Sequence, residues 1–376
     1  MGQGDLVYER FGHNAIWIHD PLRNTDLTYN WGTFDFEEPG FIQRFLQGRM
    51  YYWVDTASIQ RVLYNYSYFR RTVWAQELNL TAAQKRALQE FATWNVREEN
   101  KRYLYDYYRD NCSTRVRDVL DRALGGQLKQ DLEAQRTETT YRSHTRRLVL
   151  PDVPLLTGMD LAMGPNIDRP LTAWDEGFIP MELQKWARRV RVRGPNGEDQ
   201  PLVLNEQTLF DAQRAPPPDT PPPLLARYVV AGLLIAGVLA LFGLLAARRW
   251  AQITFLATAS VWSLVVGLLG TIIALLWALT DHVVTYRNEN LLQANPVSLV
   301  LLVALIALFA GRRWSHRFAA RTSVIVAGLS VLGLLIQLMP GVDQANGNII
   351  ALLLPAHLII AWVVSRKPLA PPPRAR

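Results

Sequence analysis

The sequence predicts an α+β domain, built from an antiparallel sheet and helices, followed by an all-α bundle of five transmembrane helices. Residues 1–214 are polar and rich in aromatic side chains, and they mix short β-like runs with helical patterns. Residues 215–223 read Ala-Pro-Pro-Pro-Asp-Thr-Pro-Pro-Pro, which is typical of an extended linker. From Leu224 onward apolar segments dominate. The predicted organisation is an N-terminal domain at 1–214, a linker at 215–223, a transmembrane domain at 224–365 and a tail at 366–376.

The elements of the N-terminal domain follow from local patterns, taken in chain order. Apolar and aromatic runs bounded by turn residues predict strands at 14–18, 27–31, 51–54 and 72–78, with the first two paired as a hairpin. A turn at Pro39-Gly40 precedes a predicted helix at 41–46. Thr81 and Gln84 have the spacing of a capping box, which predicts the start of another helix. A short helix is predicted near 181–188.

Five apolar segments are predicted to cross a membrane, since most have the ~20 residues that a bilayer core requires. They lie at about 224–247, 251–280, 297–311, 322–340 and 347–365. Arginine is abundant after the first, third and fifth segments, whereas 281–296 and 341–346 carry one arginine between them. The positive-inside rule therefore places the C-terminus in the cytoplasm and residues 1–223 outside, in a periplasm-like space. Because residues 1–10 show no export signal, we expect the natural start to lie upstream of Met1.

Composition and residue spacing disfavour several kinds of function. The 376 residues carry a modest net charge of +7, and the arginines map to membrane boundaries rather than to one soluble face, which disfavours nucleic-acid binding. One cysteine excludes an intramolecular disulfide and a cysteine-based zinc site. His13 and His19 have no acidic partner at ligand spacing. We therefore predict neither a metal nor a cofactor.

The single cysteine, Cys112, lies at the predicted start of a helix. Apolar residues between 116 and 124 recur with helical spacing, and Asp110 and Asn111 are favourable N-cap residues. Cys112 then belongs to the first turn, where unpaired N–H groups and the helix dipole lower the pKa of a thiol. This position favours a reactive thiol, and the alternative is an inert cysteine that packs as a small apolar residue.

A cysteine nucleophile needs a base and, in most sites, a third group that orients the base. His13 is the best candidate base because it follows a glycine, starts a predicted strand and lies among aromatic residues. Asn30, on the adjacent predicted strand, could accept the imidazole N–H and fix the tautomer, with Asp35 as the less favoured choice. Both His13 and Asn30 could also be ordinary structural residues of a hairpin.

Four stretches of the N-terminal domain resemble a known family. They are Phe11-Gly12-His13-Asn14-Ala15, Tyr29-Asn30-Trp31-Gly32-Thr33-Phe34-Asp35-Phe36, Gln76-Glu77-Leu78-Asn79-Leu80 and Tyr105-Asp106-Tyr107-Tyr108-Arg109-Asp110-Asn111-Cys112-Ser113-Thr114-Arg115. Over about residues 5–215 the chain is similar to the Lnb N-terminal periplasmic domain family, named after a bacterial lipoprotein N-acyltransferase. The order, a histidine strand before a cysteine helix, also resembles circularly permuted papain-like folds of the NlpC/P60 kind.

The resemblance implies a membrane-anchored thiol acyltransferase. Cys112 matches the family nucleophile and His13 its base, while Asn30 is our own assignment from the residues. The implied reaction moves an acyl chain from a membrane phospholipid to the N-terminal amine of a lipoprotein through a thioester. The implied partners are the phospholipid and the lipoprotein, with no nucleic acid.

The loop between the second and third apolar segments is unusually polar for a short connection. We expect Asp281, His282, Asn288 and Asn290 to help hold a lipid headgroup or the lipoprotein terminus, although a solvated loop would have the same composition. Two other classes of protein stay open. One is a cell-wall amidase or peptidase with the same Cys–His chemistry, and the other is a non-catalytic membrane scaffold in which Cys112 is inert.

Overall fold

The computed structural model describes residues 1–150, 152–194, 197–312 and 314–366. The chain forms two compact units. We call the first, Met1–Val149 with Arg169–Thr220, the N-terminal unit, and the second, Leu150–Asp168 with Pro221–Arg376, the membrane unit. Strands with helices in the first and long apolar helices in the second confirm the predicted fold class. The predicted tail beyond Arg366 lies outside the described residues.

The strands lie in the N-terminal unit. In chain order they are β1 (Ile16–Asp20), β2 (Thr25–Thr33), β3 (Tyr51–Ser58), β4 (Val73–Leu78), β5 (Arg102–Leu104), β6 (Arg191–Arg193), β7 (Asp199–Pro201) and β8 (Val203–Phe210). Strands β1, β2, β3 and β5 form one antiparallel sheet in that order, while β4 pairs with β8 and β6 with β7. A bulge between Trp31 and Thr33 breaks the regular pairing of β2 with β3.

Helices lie between and after these strands in the N-terminal unit, and longer helices make up most of the membrane unit. In chain order they are α1 (Phe41–Gln47), α2 (Ile59–Tyr68), α3 (Ala82–Asn95), α4 (Cys112–Ala123), α5 (Gln127–Glu133), α6 (Tyr141–Val149), α7 (Val153–Ala162), α8 (Ala173–Glu176), α9 (Pro180–Ala187), α10 (Leu225–Leu244), α11 (Arg249–Leu279), α12 (Val297–Phe309), α13 (Ser315–Leu335) and α14 (Gly347–Arg366). Helix α3 begins with the predicted capping box, in which Thr81 and Gln84 exchange side-chain and backbone hydrogen bonds.

One face of the four-stranded sheet packs against α3 and α4. Trp31 of β2 lies directly opposite Val54 of β3, and both are almost completely buried. Leu88 from α3 and Val116 from α4 complete this part of the core. The Trp31 indole donates to Asn95 at the end of α3, over 2.9 Å, so its polar atom is satisfied in the interior. This packing fixes the start of α4 against the sheet.

The membrane unit is a ring of five helices. Within the described residues, five helices are long and apolar enough to cross a membrane, as predicted. Helix α10 packs on α11 and α14, and α12 packs on α11 and α13, with α13 on α14 closing the ring. A Cβ on Gly232 of α10 would lie 2.1 Å from the Ala351 carbonyl oxygen of α14. Small residues therefore allow these two helix backbones to approach closely.

Residues 150–168 join the membrane unit, although the predicted boundary placed them in the domain at 1–214. Helix α7 has ten residues and is apolar, and it is followed by a short 3₁₀ turn at Pro165–Ile167. Its length is too short to be read as a membrane span, so the sequence pattern alone did not reveal which unit it joins.

Candidate active site

Asn111 shapes the start of α4. Its Oδ1 accepts backbone hydrogen bonds from Ser113 (2.8 Å) and Thr114 (3.0 Å), and its own N–H donates to the Thr114 hydroxyl (2.7 Å). These bonds satisfy N–H groups that a helix start otherwise leaves unpaired. The Asn111 amide nitrogen donates to the carbonyl of Phe178 in the α8–α9 turn, which ties the cap to the rest of the unit. Cys112 is therefore held as the first helical residue.

The Cys112 sulfur lies half-buried beside the chain that leads into β1. Its Sγ accepts backbone N–H groups from Asn14 and Ser113. Burial nevertheless raises the pKa of the Cys112 thiol above its ordinary value, because these hydrogen bonds only partly offset the loss of solvation. The expectation that the helix start lowers this pKa is therefore wrong for the site as it stands here. A nucleophilic role for a thiol with a raised pKa would require a base.

Gly32 makes room for Cys112. It has φ +89, a left-handed conformation that favours glycine, and a Cβ at this position would lie 3.2 Å from the Cβ of Cys112. Ile16 faces Tyr29 in the β1–β2 ladder. Strand β1 begins at Ile16, so His13 does not start the strand as predicted but lies in the segment before it. The side-chain amide of Asn14, in the same segment, donates to the hydroxyl of Ser113 on α4 over 3.0 Å. This contact brings the segment that carries His13 next to the start of α4.

The groups around His13 define its protonation state. Its ring stacks on Tyr66 with centroids 6.4 Å apart, and Asn30 forms a side-chain hydrogen bond with it. Burial, and then the nearby Arg71 guanidinium, lower the pKa of His13 to about 3, while the bond to Asn30 acts in the opposite direction. The imidazole is therefore neutral at pH 7, with a lone pair on one ring nitrogen.

The hydrogen bond to Asn30 has a defined direction. The Asn30 amide nitrogen donates to the Thr28 hydroxyl over 3.1 Å, which leaves Oδ1 as the acceptor available to the imidazole. The bond to Asn30 raises the pKa of His13, as expected when the ring N–H donates and thereby stabilises the protonated ring. The role of Asn30 in fixing the tautomer of a catalytic imidazole stays a prediction. Asp35, the less favoured choice, is exposed and accepts the backbone N–H of Glu37 in a turn.

A tyrosine from β5 completes the surroundings of Cys112. Tyr103 is 9% exposed, and its hydroxyl has no hydrogen-bond partner among the described residues. The guanidinium of Arg115, three residues after Cys112 on α4, lies 4.1 Å from the centre of the Tyr103 ring. Burial raises the pKa of Tyr103 well above its usual value, and the next contribution is the proximity of a charge on Cys112. An unsatisfied phenol thus lies within electrostatic reach of the sulfur.

Family models cover most of the chain. The Lnb N-terminal periplasmic domain matches residues 1–148, and the Lnb transmembrane domain matches residues 225–366. The chain belongs to the Lnb family. No curated protein and no solved structure matches it. As a family member it is an inner-membrane protein with a periplasmic N-terminal domain and five transmembrane helices, and the relation to papain-like folds stays a prediction.

In this Lnb family member, the predicted site residues of the N-terminal unit come together. Cys112, His13 and Asn30 lie around the junction of β1, β2 and α4. Sequence reasoning missed the space provided by Gly32 and the unpaired hydroxyl of Tyr103. Gly32 lies inside the second stretch that carried the resemblance, and its position there was the available signal, whereas Tyr103 lies two residues before the fourth stretch and had no such signal.

The polar loop of the membrane unit separates into buried and accessible residues. The amides of Asn288 and Asn290 are buried and donate to backbone carbonyls at the end of α7. This is a packing role rather than the predicted contact with a headgroup. Asp281 is exposed and His282 half-exposed, and their ligand-binding role stays a prediction.

Among the residues that the structure describes, no group of three or more His, Cys, Asp or Glu side chains could hold a metal ion. That the protein uses no metal stays a prediction.

Proposed function

We propose that this Lnb family member is a Cys–His acyltransferase. It would move an acyl chain from a membrane phospholipid to the N-terminal amine of a lipoprotein through a thioester on Cys112. The proposal rests on the surroundings of two residues. His13 is neutral and hydrogen-bonded to Asn30, and the backbone N–H of the next residue, Asn14, binds the Cys112 sulfur. An inert packing cysteine has no need of an oriented neutral imidazole.

The first half-reaction begins from a neutral pair. Because the pKa of Cys112 is raised and that of His13 lowered, the proton leaves the thiol as the sulfur attacks, rather than beforehand. The sulfur forms a bond to the ester carbonyl carbon, and His13 takes the thiol proton. Collapse of the tetrahedral intermediate breaks the ester C–O bond, and His13 gives the proton to the departing oxygen. The products are an acyl-Cys112 thioester and a lysophospholipid.

The second half-reaction returns the site to its starting state. The free amine of the lipoprotein attacks the thioester carbonyl, the C–N bond forms and the C–S bond breaks. His13 removes the proton that the amine loses and delivers it to the Cys112 sulfur. No external base or oxidant is required, and one proton circulates between His13 and the reacting atoms.

Tyr103 is suited to stabilise the charge that develops on the carbonyl oxygen in both steps. Its hydroxyl is buried, has no hydrogen-bond partner among the described residues and lies near Cys112. A buried donor without a partner is costly in the resting protein, and an oxyanion would satisfy it. In this proposal the phenol of Tyr103 holds the oxyanion, since the backbone N–H groups of Ser113 and Thr114 are already bonded to Asn111.

The proposed orientation follows from the number of spans. An odd number of crossings places the two ends of the membrane domain on opposite sides. With the N-terminal domain in the periplasm, the C-terminus is cytoplasmic, and the arginine-rich connections after the first and third spans agree with this. A C-terminal tag should be cleaved by protease in inverted vesicles and protected in intact spheroplasts.

The test of activity uses the full chain in lipid nanodiscs with a phospholipid donor and a diacylglyceryl lipopeptide acceptor. We expect mass spectrometry to show one added acyl chain on the lipopeptide amine. The Cys112→Ala and His13→Ala variants should lose the product, whereas His19→Ala, a control at an exposed histidine of β1, should keep it. Unchanged lipopeptide together with cleaved muropeptides would favour the cell-wall hydrolase instead.

A further inference from the structure

Helix α7 is too short to span a membrane and yet belongs to the membrane unit. Its ten residues, Val153–Ala162, extend over about 15 Å at the rise of an α-helix, whereas a bilayer core is ~30 Å thick. The helix contains one charged residue, Asp160, and that residue is buried. A short apolar helix of this kind must lie either inside the protein or at an interface.

Two buried asparagines hold the end of α7. The Asn288 amide nitrogen donates to the carbonyls of Leu161 and Ala162, each over 2.9 Å. The Asn290 amide nitrogen donates to the carbonyls of Asp160 and Leu161, each over 3.0 Å. These bonds satisfy carbonyls that the end of a helix otherwise leaves unpaired. Buried amides of this kind fix α7 rigidly to the loop between α11 and α12.

The segment after α7 is joined to the same connections. Gly164 donates its backbone N–H to Val284 over 2.7 Å, and a Cβ on Gly164 would lie 2.2 Å from the Tyr286 carbonyl oxygen. Gln344, between α13 and α14, donates to the carbonyl of Met163 over 3.1 Å. Helix α7 is thus a fixed part of the bundle end.

This end of the bundle faces the periplasm. The chain enters α10 from the periplasmic domain, and successive spans alternate in direction. The α11–α12 and α13–α14 connections therefore lie on the same side as the start of α10. Thr157 of α7 lies 2.6 Å, oxygen to oxygen, from the hydroxyl of Tyr228 in the first turn of α10, in agreement with this placement.

The other face of α7 is apolar and exposed. Val153, Pro154 and Gly158 are exposed, while Leu155 and Met159 are half-exposed. Leu156, Asp160 and Leu161 form the buried face. A helix that faces water usually carries charged or polar residues on its outer side. The outer face of α7 instead continues the apolar, exposed character of the neighbouring spans.

We propose that α7 lies in the periplasmic interface of the membrane, with the face formed by residues 153–155, 158 and 159 in contact with lipid. This face contacts the boundary between lipid headgroups and acyl chains, because α7 is fixed to the periplasmic end of the helix bundle and its outer face carries no charged residue. The chain is then tied to the membrane between residues 149 and 169 as well as through its spans. This inference does not depend on the acyltransferase proposal.

The experiment measures the depth of single fluorescent labels in the full chain. Cys112→Ala removes the native thiol, and Gly158→Cys introduces a new one where the described neighbours leave open space around a Cβ. Labels at Leu22→Cys, in a 96% exposed turn, and at Leu234→Cys, on the exposed side of α10, provide the aqueous and membrane references. All variants are reconstituted in nanodiscs that contain lipids with a nitroxide quencher at a shallow or a deep acyl position.

We expect the label at position 158 to show blue-shifted emission and stronger quenching by the shallow nitroxide than by the deep one. The label at position 234 should be quenched by acyl-chain nitroxides, and the label at position 22 by neither. Emission and quenching at position 158 equal to those at position 22 would overturn the inference. A second label at Val153→Cys repeats the measurement, so a local perturbation at one position cannot decide the outcome.

Discussion

The backbone N–H of Asn14 donates a hydrogen bond to the sulfur of Cys112, although 98 positions separate the two residues in the chain. The bond joins the approach to β1 to the first residue of α4. His13 is the neighbour of Asn14 in the chain, and its ring stacks on Tyr66, which is itself within electrostatic reach of Cys112. The predictions below examine what each part of this arrangement contributes.

Replacement of Tyr103 by Phe should slow acyl transfer without affecting the thiol itself. Loss of one oxyanion donor costs on the order of 10²–10³-fold in rate. Alkylation of Cys112 by iodoacetamide forms no oxyanion, so its rate should stay close to that of the unaltered protein. The Tyr107→Phe variant, whose hydroxyl lies 3.3 Å from the Met50 sulfur, is the matched control and should keep both rates.

The comparison of the two rates for Tyr103→Phe distinguishes three cases. Slow transfer with normal alkylation supports the oxyanion role. Equal loss of both rates would indicate that Tyr103 only supports the fold around Cys112. Normal transfer would remove Tyr103 from the mechanism while leaving Cys112 and His13 in place.

Replacement of Gly32 by Ala should damage the site in two ways. A left-handed conformation costs a residue with a side chain about 1–3 kcal/mol of stability, and the new Cβ would also press on Cys112 at 3.2 Å. Gly126 has the same φ of +89, and nothing described lies within 4 Å of its Cβ position. Gly126→Ala should therefore lower stability similarly in urea unfolding and leave acyl transfer unchanged. Full activity of Gly32→Ala would show that this close approach is not required.

Much of the fold and part of the site could be predicted from the sequence, because they depend on local patterns. Strand alternation, the Thr81–Gln84 capping box and the apolar spans are each encoded within a few neighbouring residues. The helix start at Cys112 was predictable because asparagine at 111 is a strong N-cap.

The features that could not be predicted depend on contacts between distant residues. Nothing local distinguishes Tyr103 from the other tyrosines around Cys112, since only the fold decides which hydroxyl lacks a partner among the described residues. Helix α7 is apolar like a core helix, and contacts with distant residues such as Asn288 and Asn290 decide where it packs. The direction of the pKa shift at Cys112 was wrong because the helix start was considered without burial.

Replacement of Asn30 by Ala should slow acyl transfer by on the order of 10²-fold, because a misoriented base loses most of its advantage. The Asn30→Asp variant keeps an acceptor for the imidazole N–H and should recover part of the rate. Its added negative charge should also raise the pKa of His13 above its present low value. On acidification, the rate of acyl transfer should then begin to fall at a higher pH than in the unaltered protein. If both variants transfer acyl chains at the normal rate, Asn30 is a structural residue of β2.

The pH dependence should distinguish a neutral pair from a preformed ion pair. The pKa of His13 is lowered to about 3, so the imidazole stays neutral from mildly acidic pH upward, and the raised pKa of Cys112 keeps the thiol protonated at neutral pH. Alkylation of Cys112 by iodoacetamide should therefore increase steadily as the pH rises toward and beyond 9, the ordinary value from which this pKa is raised. A thiolate–imidazolium pair would instead alkylate at a constant, fast rate across neutral pH. Such a plateau, measured in the full-length protein in nanodiscs, would contradict the neutral pair and restore a helix-stabilised thiolate as the resting state.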